Sequence, residues 1–337
     1  MLGASASDDA DPERSDLPRC PVTAPTAPAA SAPARPSFRV WVQGARPRTL
    51  PLSAVSVIVG TGVAVAGYRE GVGGYFGRDH HLLVAVLCLV VALCLQIGVN
   101  YTNDYSDGVR GTDAFRVGPP RLTGAGQATP RAVLVVGLTF FAVAAVAGLT
   151  IVLVTQLWWM LAVGAVAIVA AWYYTGGARP YGYRALGEVA VFLFFGIAAV
   201  VGTQFVQIGY TTLAGWVSAA AIGLFACGVL MVNNIRDIEP DRAAGKRTLA
   251  VVVGRGAARV LFAVFMLAPY VLLVVPVLDS PLALITLVSL VLAVPAVRIG
   301  TRAVQPLALV KSLQLSSTTS LAFGVLLSVA LVIHHAS

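Results

Sequence analysis

Charge is what this sequence has least of. Charged residues fill 11% of its 337 positions while 58% are apolar, and a soluble domain carries about a quarter charged residues. That scarcity excludes an ordinary water-soluble enzyme. Histidine is nearly missing too: the four present (His80, His81, His334, His335) lie outside the basic loops described below, which excludes histidine acid–base chemistry there. Four cysteines offer no pair at metal-ligand spacing, and Cys88, Cys94 and Cys227 sit within apolar runs, where they read as small core residues. Lysine occurs twice, as Lys246 and Lys311; the other 21 basic residues are arginines.

What is plentiful is apolar sequence in runs of about 20 residues, each long enough to cross a hydrocarbon core roughly 30 Å thick. Nine such spans are expected, near 50–68, 82–103, 132–154, 156–174, 187–208, 213–235, 257–278, 281–298 and 314–333. The fold class is therefore an all-α, polytopic membrane helical bundle. Residues 1–38, rich in Ala, Pro, Ser and Asp and without apolar periodicity, read as a disordered tail. Residues 39–337 are left as the membrane domain.

The net charge of +8 does not point to nucleic acid, because the basic residues sit in short intervals between spans. Of the 23, only Arg69 and Arg78 fall on one side; the rest fall on the other. The positive-inside rule makes the rich side cytoplasmic, with the N-terminus inside and the C-terminus outside a multi-pass cell-membrane protein.

Six of the fifteen acidic residues form two clusters on that basic side: Asp104, Asp107 and Asp113 after the second span, and Asp237, Glu239 and Asp241 after the sixth. Acids at helix C-termini oppose the macrodipole, so helix stability does not explain them. Gln96, Asn100, Asn103 and Asp107 are spaced by four, three and four and share one helix face. A polar stripe at membrane depth must line a protein cavity rather than face lipid. Asn103-x-x-x-Asp107-x-x-x-Gly111 and Asn233-x-x-x-Asp237-x-x-x-Asp241 share a period of four, a weak internal repeat in which each copy offers a short row of oxygen ligands. If the bundle brings the rows together, their carboxylates repel, and a hard cation is the natural resolution. Oxygen-only ligands favour Mg2+ over zinc. Magnesium completes its shell with water and substrate phosphates, which neighbouring Arg and Lys also hold, so the implied ligand is a diphosphate.

With these motifs the sequence resembles the UbiA superfamily of intramembrane prenyltransferases. Asn103-Asp104-x-x-Asp107 and Asp237-x-x-x-Asp241 are similar to the family's two Asp-rich motifs on its second and sixth helices. Within the superfamily, five strings resemble the 1,4-dihydroxy-2-naphthoate polyprenyltransferases of menaquinone synthesis: Ala45–Pro51, Asn103–Asp113, Tyr174–Gly177 with Arg179–Tyr181, Leu186–Glu188 and Gly245–Leu249. One departure is Gly111, where many aromatic prenyltransferases carry a third acid; Asp113 lies two residues on and stands outside the first tier of ligands.

The resemblance implies a nine-helix bundle in which Asn103, Asp107, Asn233, Asp237 and Asp241, with Asp104 close by, hold two Mg2+ ions bridging a polyprenyl diphosphate. Metal and basic groups steady the charge growing on the leaving diphosphate. Arg121, Lys246, Arg179 and Arg48 are the candidate diphosphate contacts, Lys246 foremost, and Asn100 of the stripe is a candidate substrate contact. An allylic cation shielded from water can be steadied by aromatic faces, for which Tyr101, Tyr105 and Tyr174 are placed at suitable helix ends. The resemblance implies transfer of the polyprenyl group to dihydroxynaphthoate with release of diphosphate and CO2, giving demethylmenaquinone. No residue is assigned to the decarboxylation, and Gly- and Ala-rich sequence around Gly196–Gly202 could leave the prenyl tail a way out toward lipid.

Other readings stay open at this point. Asp104-x-x-Asp107-Gly108 matches the start of the alcohol phosphatidyltransferase motif, but Gly111-Thr112 stands where that motif needs Ala-Arg. A carrier would place its acids at the midplane of the membrane rather than at one surface. Within the family, 4-hydroxybenzoate or a phosphoribosyl sugar are the alternative acceptors.

Overall fold

The computed structural model describes residues 36–111 and 121–337. Most of the expected tail, and both Asp113 and Arg116, lie outside the described residues. In chain order the helices are α1 (Phe38–Gly44), α2 (Leu50–Ala66), α3 (Gly71–Phe76), α4 (Asp79–Val109), α5 (Pro130–Thr155) and α6 (Met160–Tyr173). They continue with α7 (Gly187–Ile208), α8 (Leu213–Arg236), α9 (Ile238–Ala243), α10 (Leu249–Asp279), α11 (Pro281–Arg302) and α12 (Pro306–Ala336). Among the described residues there is no strand beyond one isolated bridge between Arg184 and Arg247.

Seven helices (α4, α5, α7, α8, α10, α11 and α12) are long and apolar enough to cross a membrane. The other two expected spans correspond to α2 and α6, apolar helices of 17 and 14 residues. At 1.5 Å per residue these reach about 25 and 21 Å, short of a full crossing.

Burial explains the arrangement. Of its most apolar window, α8 buries 72% inside the protein, against 28% for α4, α5 and α10. It is thus the central post, against which α2, α7, α10 and α12 pack. Ile222, Phe225, Phe262, Met266, Phe323 and Leu327 fill the core that α8 shares with α10 and α12. Without a hydrophobic drive between helices in lipid, close approach rests on small residues: a side chain at Gly324 would collide with Val55 and Val59, and one at Gly62 with Ser328.

Two local features shape the mouth of the bundle. Helix α4 runs on to Val109, beyond the expected end at 103, so Asp104 and Asp107 are helical residues and not loop residues. It stops where Gly111 adopts φ +72°, a left-handed conformation that suits glycine. In α10, Gly254 (φ 78°, ψ 163°) breaks the helix one turn from its start, separating the turn behind Lys246 from the long segment that enters the bundle.

Candidate active site

One cavity of about 820 Å3 runs from a polar mouth into an apolar interior. Arg46, Arg48, Asn100, Asn103, Arg121, Asn233 and Arg236 line the mouth. Deeper, the walls are Ala144, Gly148 and Val152 of α5, Gly164 and Ala167 of α6, and Phe194, Ala198, Ala199 and Gly202 of α7. Phe192–Val201 of α7 is a π-helix, a wider coil that often marks functional sites in helices. A cavity with charges at one end and hydrocarbon at the other suits a ligand of the same polarity.

The polar stripe of α4 faces this cavity and is satisfied by its neighbours. Gln96 accepts from Ser53 Oγ and donates to Thr49 O (2.8 Å), and Asn100 Nδ2 donates to Ala45 O (2.9 Å). Thr175 Oγ1 donates to Asn103 Oδ1. The stripe thereby clamps the 45–53 segment over the mouth.

At its tip, Asp107 draws three parts of the chain together. It is 2% exposed and meets Arg121 Nη1 at 2.8 Å and Lys246 Nζ at 3.2 Å, and accepts from the Tyr183 hydroxyl. Lys246 also lies over the Tyr183 ring, 4.6 Å from its centroid. The two loops that supply Tyr183 and Lys246 are tied by Arg247 N donating to Tyr183 O (3.0 Å). Arg110 fixes the Tyr174–Gly177 turn by donating to the carbonyls of Thr175 and Gly177.

The second row stands at the end of α8. Arg236 pairs with Asp237 through Nε (2.7 Å) and Nη2 (2.5 Å), and Nη2 also donates to Asn233 Oδ1 (2.9 Å). Asp237 closes the helix, and Asp241 belongs to the separate short helix α9. Through its backbone Asp241 receives Lys246 N (2.8 Å), so the second motif positions the lysine that reaches the first. The two rows, 130 residues apart in sequence, meet at one mouth through Lys246.

The family model for the UbiA prenyltransferase family matches residues 55–311. The chain belongs to that family. A 1,4-dihydroxy-2-naphthoate octaprenyltransferase of Mycobacterium tuberculosis is 47% identical over 260 residues, covering 77% of this chain and 85% of the relative. Two solved structures share the fold at 15% identity. They are a UbiA homolog from Aeropyrum pernix (TM-score 0.61, 83% of this chain and 97% of that one) and one from Archaeoglobus fulgidus bound to GPP and Mg2+ (TM-score 0.58, 86% and 99%).

As a UbiA chain, it lines the mouth with Asn100, Asn103, Arg121 and Asn233, with Arg48 exposed on its rim; Asp107 and Lys246 reach it through Arg121, Asp237 through Arg236, and the backbone of Asp241 holds Lys246. It does not bring all the candidates there. Asp104 does line the cavity, but it spends both carboxylate oxygens on the loop after α4, accepting from Leu122 N and Thr123 N at 2.9 Å each. Tyr101 and Tyr105 pack on the other side of α4 against Trp41 and Leu122, with the Tyr101 hydroxyl donating to Trp41 O. Arg179 is exposed on the α6–α7 loop and is not part of the cavity lining. Of the three candidate tyrosines only Tyr174 lines the cavity, joined there by Tyr181. Burial pushes the Tyr181 phenol up to about 12, so it presents a neutral aromatic face at physiological pH.

Asp104→Asn separates anchoring from ligation. Replacing one acceptor oxygen by an N–H donor opposite a buried N–H costs about 1–3 kcal/mol. The variant should show faster proteolysis of the 121–128 loop while the Mg2+ concentration for half-maximal activity stays put. A raised Mg2+ requirement would return Asp104 to the ligand set.

Sequence reasoning missed Tyr183, Arg236 and Arg46. Arg46 lines the mouth in a left-handed conformation (φ 54°), costly for a residue with a Cβ, and is held so by Thr49 N and Oγ1 donating to its carbonyl at 3.0 Å each. Tyr183 acts through a tertiary contact that no sequence signal marks, whereas Arg236 pairs with its neighbours Asp237 and Asn233 and Arg46 lies within the Ala45–Pro51 string.

The donor set fits Mg2+. Asn103, Asp107, Asn233, Asp237 and Asp241 offer oxygen ligands, and among the described residues no trio of His, Cys, Asp and Glu gathers closely enough to enclose a metal ion by itself. Magnesium asks for no such enclosure, taking one or two carboxylates and filling its shell with phosphate and water.

Proposed function

We propose that this chain transfers a polyprenyl group from polyprenyl diphosphate to 1,4-dihydroxy-2-naphthoate, giving demethylmenaquinone, diphosphate and CO2. The observation that carries the reading is the Lys246–Asp107 contact, 3.2 Å, beside Arg121, which pairs with the same carboxylate and lines the mouth of an apolar-walled cavity. It joins the two acid motifs at the spot where a diphosphate head would rest with its tail in the corridor. The acceptor is that of the 1,4-dihydroxy-2-naphthoate octaprenyltransferases this chain resembles, 47% identical in Mycobacterium tuberculosis and 39% in Escherichia coli.

In this reading Arg121, Lys246 and Arg236 leave their carboxylate partners for the diphosphate oxygens, with Arg46 and Arg48 at the rim. Asn103, Asp107, Asn233, Asp237 and Asp241 would hold Mg2+. Bound Mg2+ supplies Lewis-acid stabilisation of the negative charge on the departing diphosphate. The apolar walls keep water from the allylic cation, and the faces of Tyr174 and Tyr181 steady it by about 1–2 kcal/mol. The electron-rich naphthoate ring attacks the cation directly, so no strong base is needed.

The reading also has nine membrane crossings, with α2 and α6 completed by their flanking residues, and the mouth on the cytoplasmic side, supported by the basic residues gathered there. Residues 39–337 form the prenyltransferase domain, preceded by a cytoplasmic tail.

The test is incubation of purified protein in lipid nanodiscs with labelled polyprenyl diphosphate and, separately, dihydroxynaphthoate or 4-hydroxybenzoate. Product should form with the naphthoate alone, vanish with EDTA and return with added Mg2+. Turnover of hydroxybenzoate in place of the naphthoate would overturn the acceptor.

A further inference from the structure

A second recess, about 600 Å3, lies on the outer surface of the bundle along α10, and shares no lining residue with the active-site cavity. Its walls are Val260, Val264, Leu267 and Val271, all exposed, and its head is Arg259 with Thr301 of α11. From residue 259 to residue 271 a helix rises about 18 Å. Half of a hydrocarbon core roughly 30 Å thick is about 15 Å. The groove is thus as long as one acyl chain in one leaflet.

The head of the groove is cationic. Arg259 Nη2 donates to Ala303 O at the end of α11 (2.7 Å), while its Nε is enclosed and has no hydrogen-bond partner among the described residues. Arg255 sits one turn before Arg259 on α10, and the exposed Arg298 and Arg302 flank Thr301 on α11. The acid near this group is Glu239, 3.6 Å from Arg255 and already paired with Arg242 at 2.8 Å. Basic residues at the head of an interhelical groove recognise anionic lipid headgroups.

We propose that this groove binds one anionic phospholipid, its phosphate accepting from Arg259 and one acyl chain lying along Val260–Val271. Charge complementarity selects the headgroup and groove length the chain.

Native mass spectrometry of the full chain, released from detergent after incubation with phosphatidylglycerol or phosphatidylcholine of matched acyl chains, tests it. One phosphatidylglycerol per chain should be retained with about tenfold preference over phosphatidylcholine. Arg259→Gln should remove the preference. Ala263→Phe fills the groove without touching the Arg259–Ala303 bond, and should lower retention of both lipids even if Arg259→Gln does not fold. Equal retention of the two lipids by the native chain would overturn the proposal. So would unchanged phosphatidylglycerol retention in Ala263→Phe, or glycerol phosphate retained as well as the whole lipid, which would mark a free-phosphate site.

Discussion

Asp107→Asn lowers prenyl transfer by about 10³-fold or more while leaving a helical bundle. The expected size comes from what one carboxylate does at the mouth: it carries charge opposite Arg121 and Lys246 and takes the Tyr183 hydroxyl. An amide of the same shape keeps a partner for Tyr183 but cannot neutralise two cations, and it turns an N–H toward one of them. Loss of a preorganised electrostatic group in a water-poor site costs about 10²–10³ in rate, and here the lost group is also a candidate metal ligand. Stability falls as well, because removing one partner of a buried ion pair costs about 3–5 kcal/mol. That cost is confined to the mouth, away from the core around Phe225 and Phe323. Initial rates of labelled prenyl incorporation, with circular dichroism on the same sample, check both parts. A variant that folds and retains activity within about tenfold of the native protein would sink the assignment of Asp107.

The second large effect concerns the tail. Ala199→Trp projects an indole from the π-helical segment of α7 into the corridor, where Ala198, Ala199 and Gly202 present almost no side chain. A long polyprenyl chain can no longer lie along it, and the diphosphate is pulled away from Lys246 and Arg121. Displacement of a reacting group by about 1 Å can cost 10²-fold, so turnover of long-chain substrates should fall by at least that. Dimethylallyl diphosphate, whose tail ends near the mouth, should lose far less. A chain-length series of turnover rates on native and variant protein reads the result directly. Equal losses at every length would mean that the tail takes another path.

The helices were legible because apolar runs of about 20 residues have few alternatives in a chain this poor in charge. Their ends were not: hydropathy falls at Asn103, but α4 continues to Val109 because polar residues are helical wherever a neighbour satisfies them, as Thr175 does for Asn103. The two acid rows were legible from their period of four. The period also held information left unused. At about 100° per residue, Tyr101 and Tyr105 stand roughly 130–170° around the helix from the Gln96–Asp107 stripe. The structure accordingly packs Tyr101 against Trp41 and places Tyr105 in the same apolar cluster, neither lining the cavity. Asp104 is turned about 70° from the same stripe, far enough to meet the backbone of Leu122 and Thr123. Tyr183 was out of reach, since an aromatic in a loop is an ordinary residue until the chain folds it onto Asp107; Arg236, next to Asp237 in sequence, reads as an ordinary helix-end arginine.

The pairing of each motif's acid with cations of the same chain, Asp107 with Arg121 and Lys246 and Asp237 with Arg236, carries a consequence for ion selectivity. A mouth that supplies its own counter-ions has little net pull on a passing calcium or sodium ion, which would have to evict an arginine unaided. A divalent ion arriving together with a diphosphate offers each displaced guanidinium a new anion at once. Under the reading proposed above, admission of Mg2+ would thus rest on an exchange of partners between metal and substrate, and strays would be turned away without any gate.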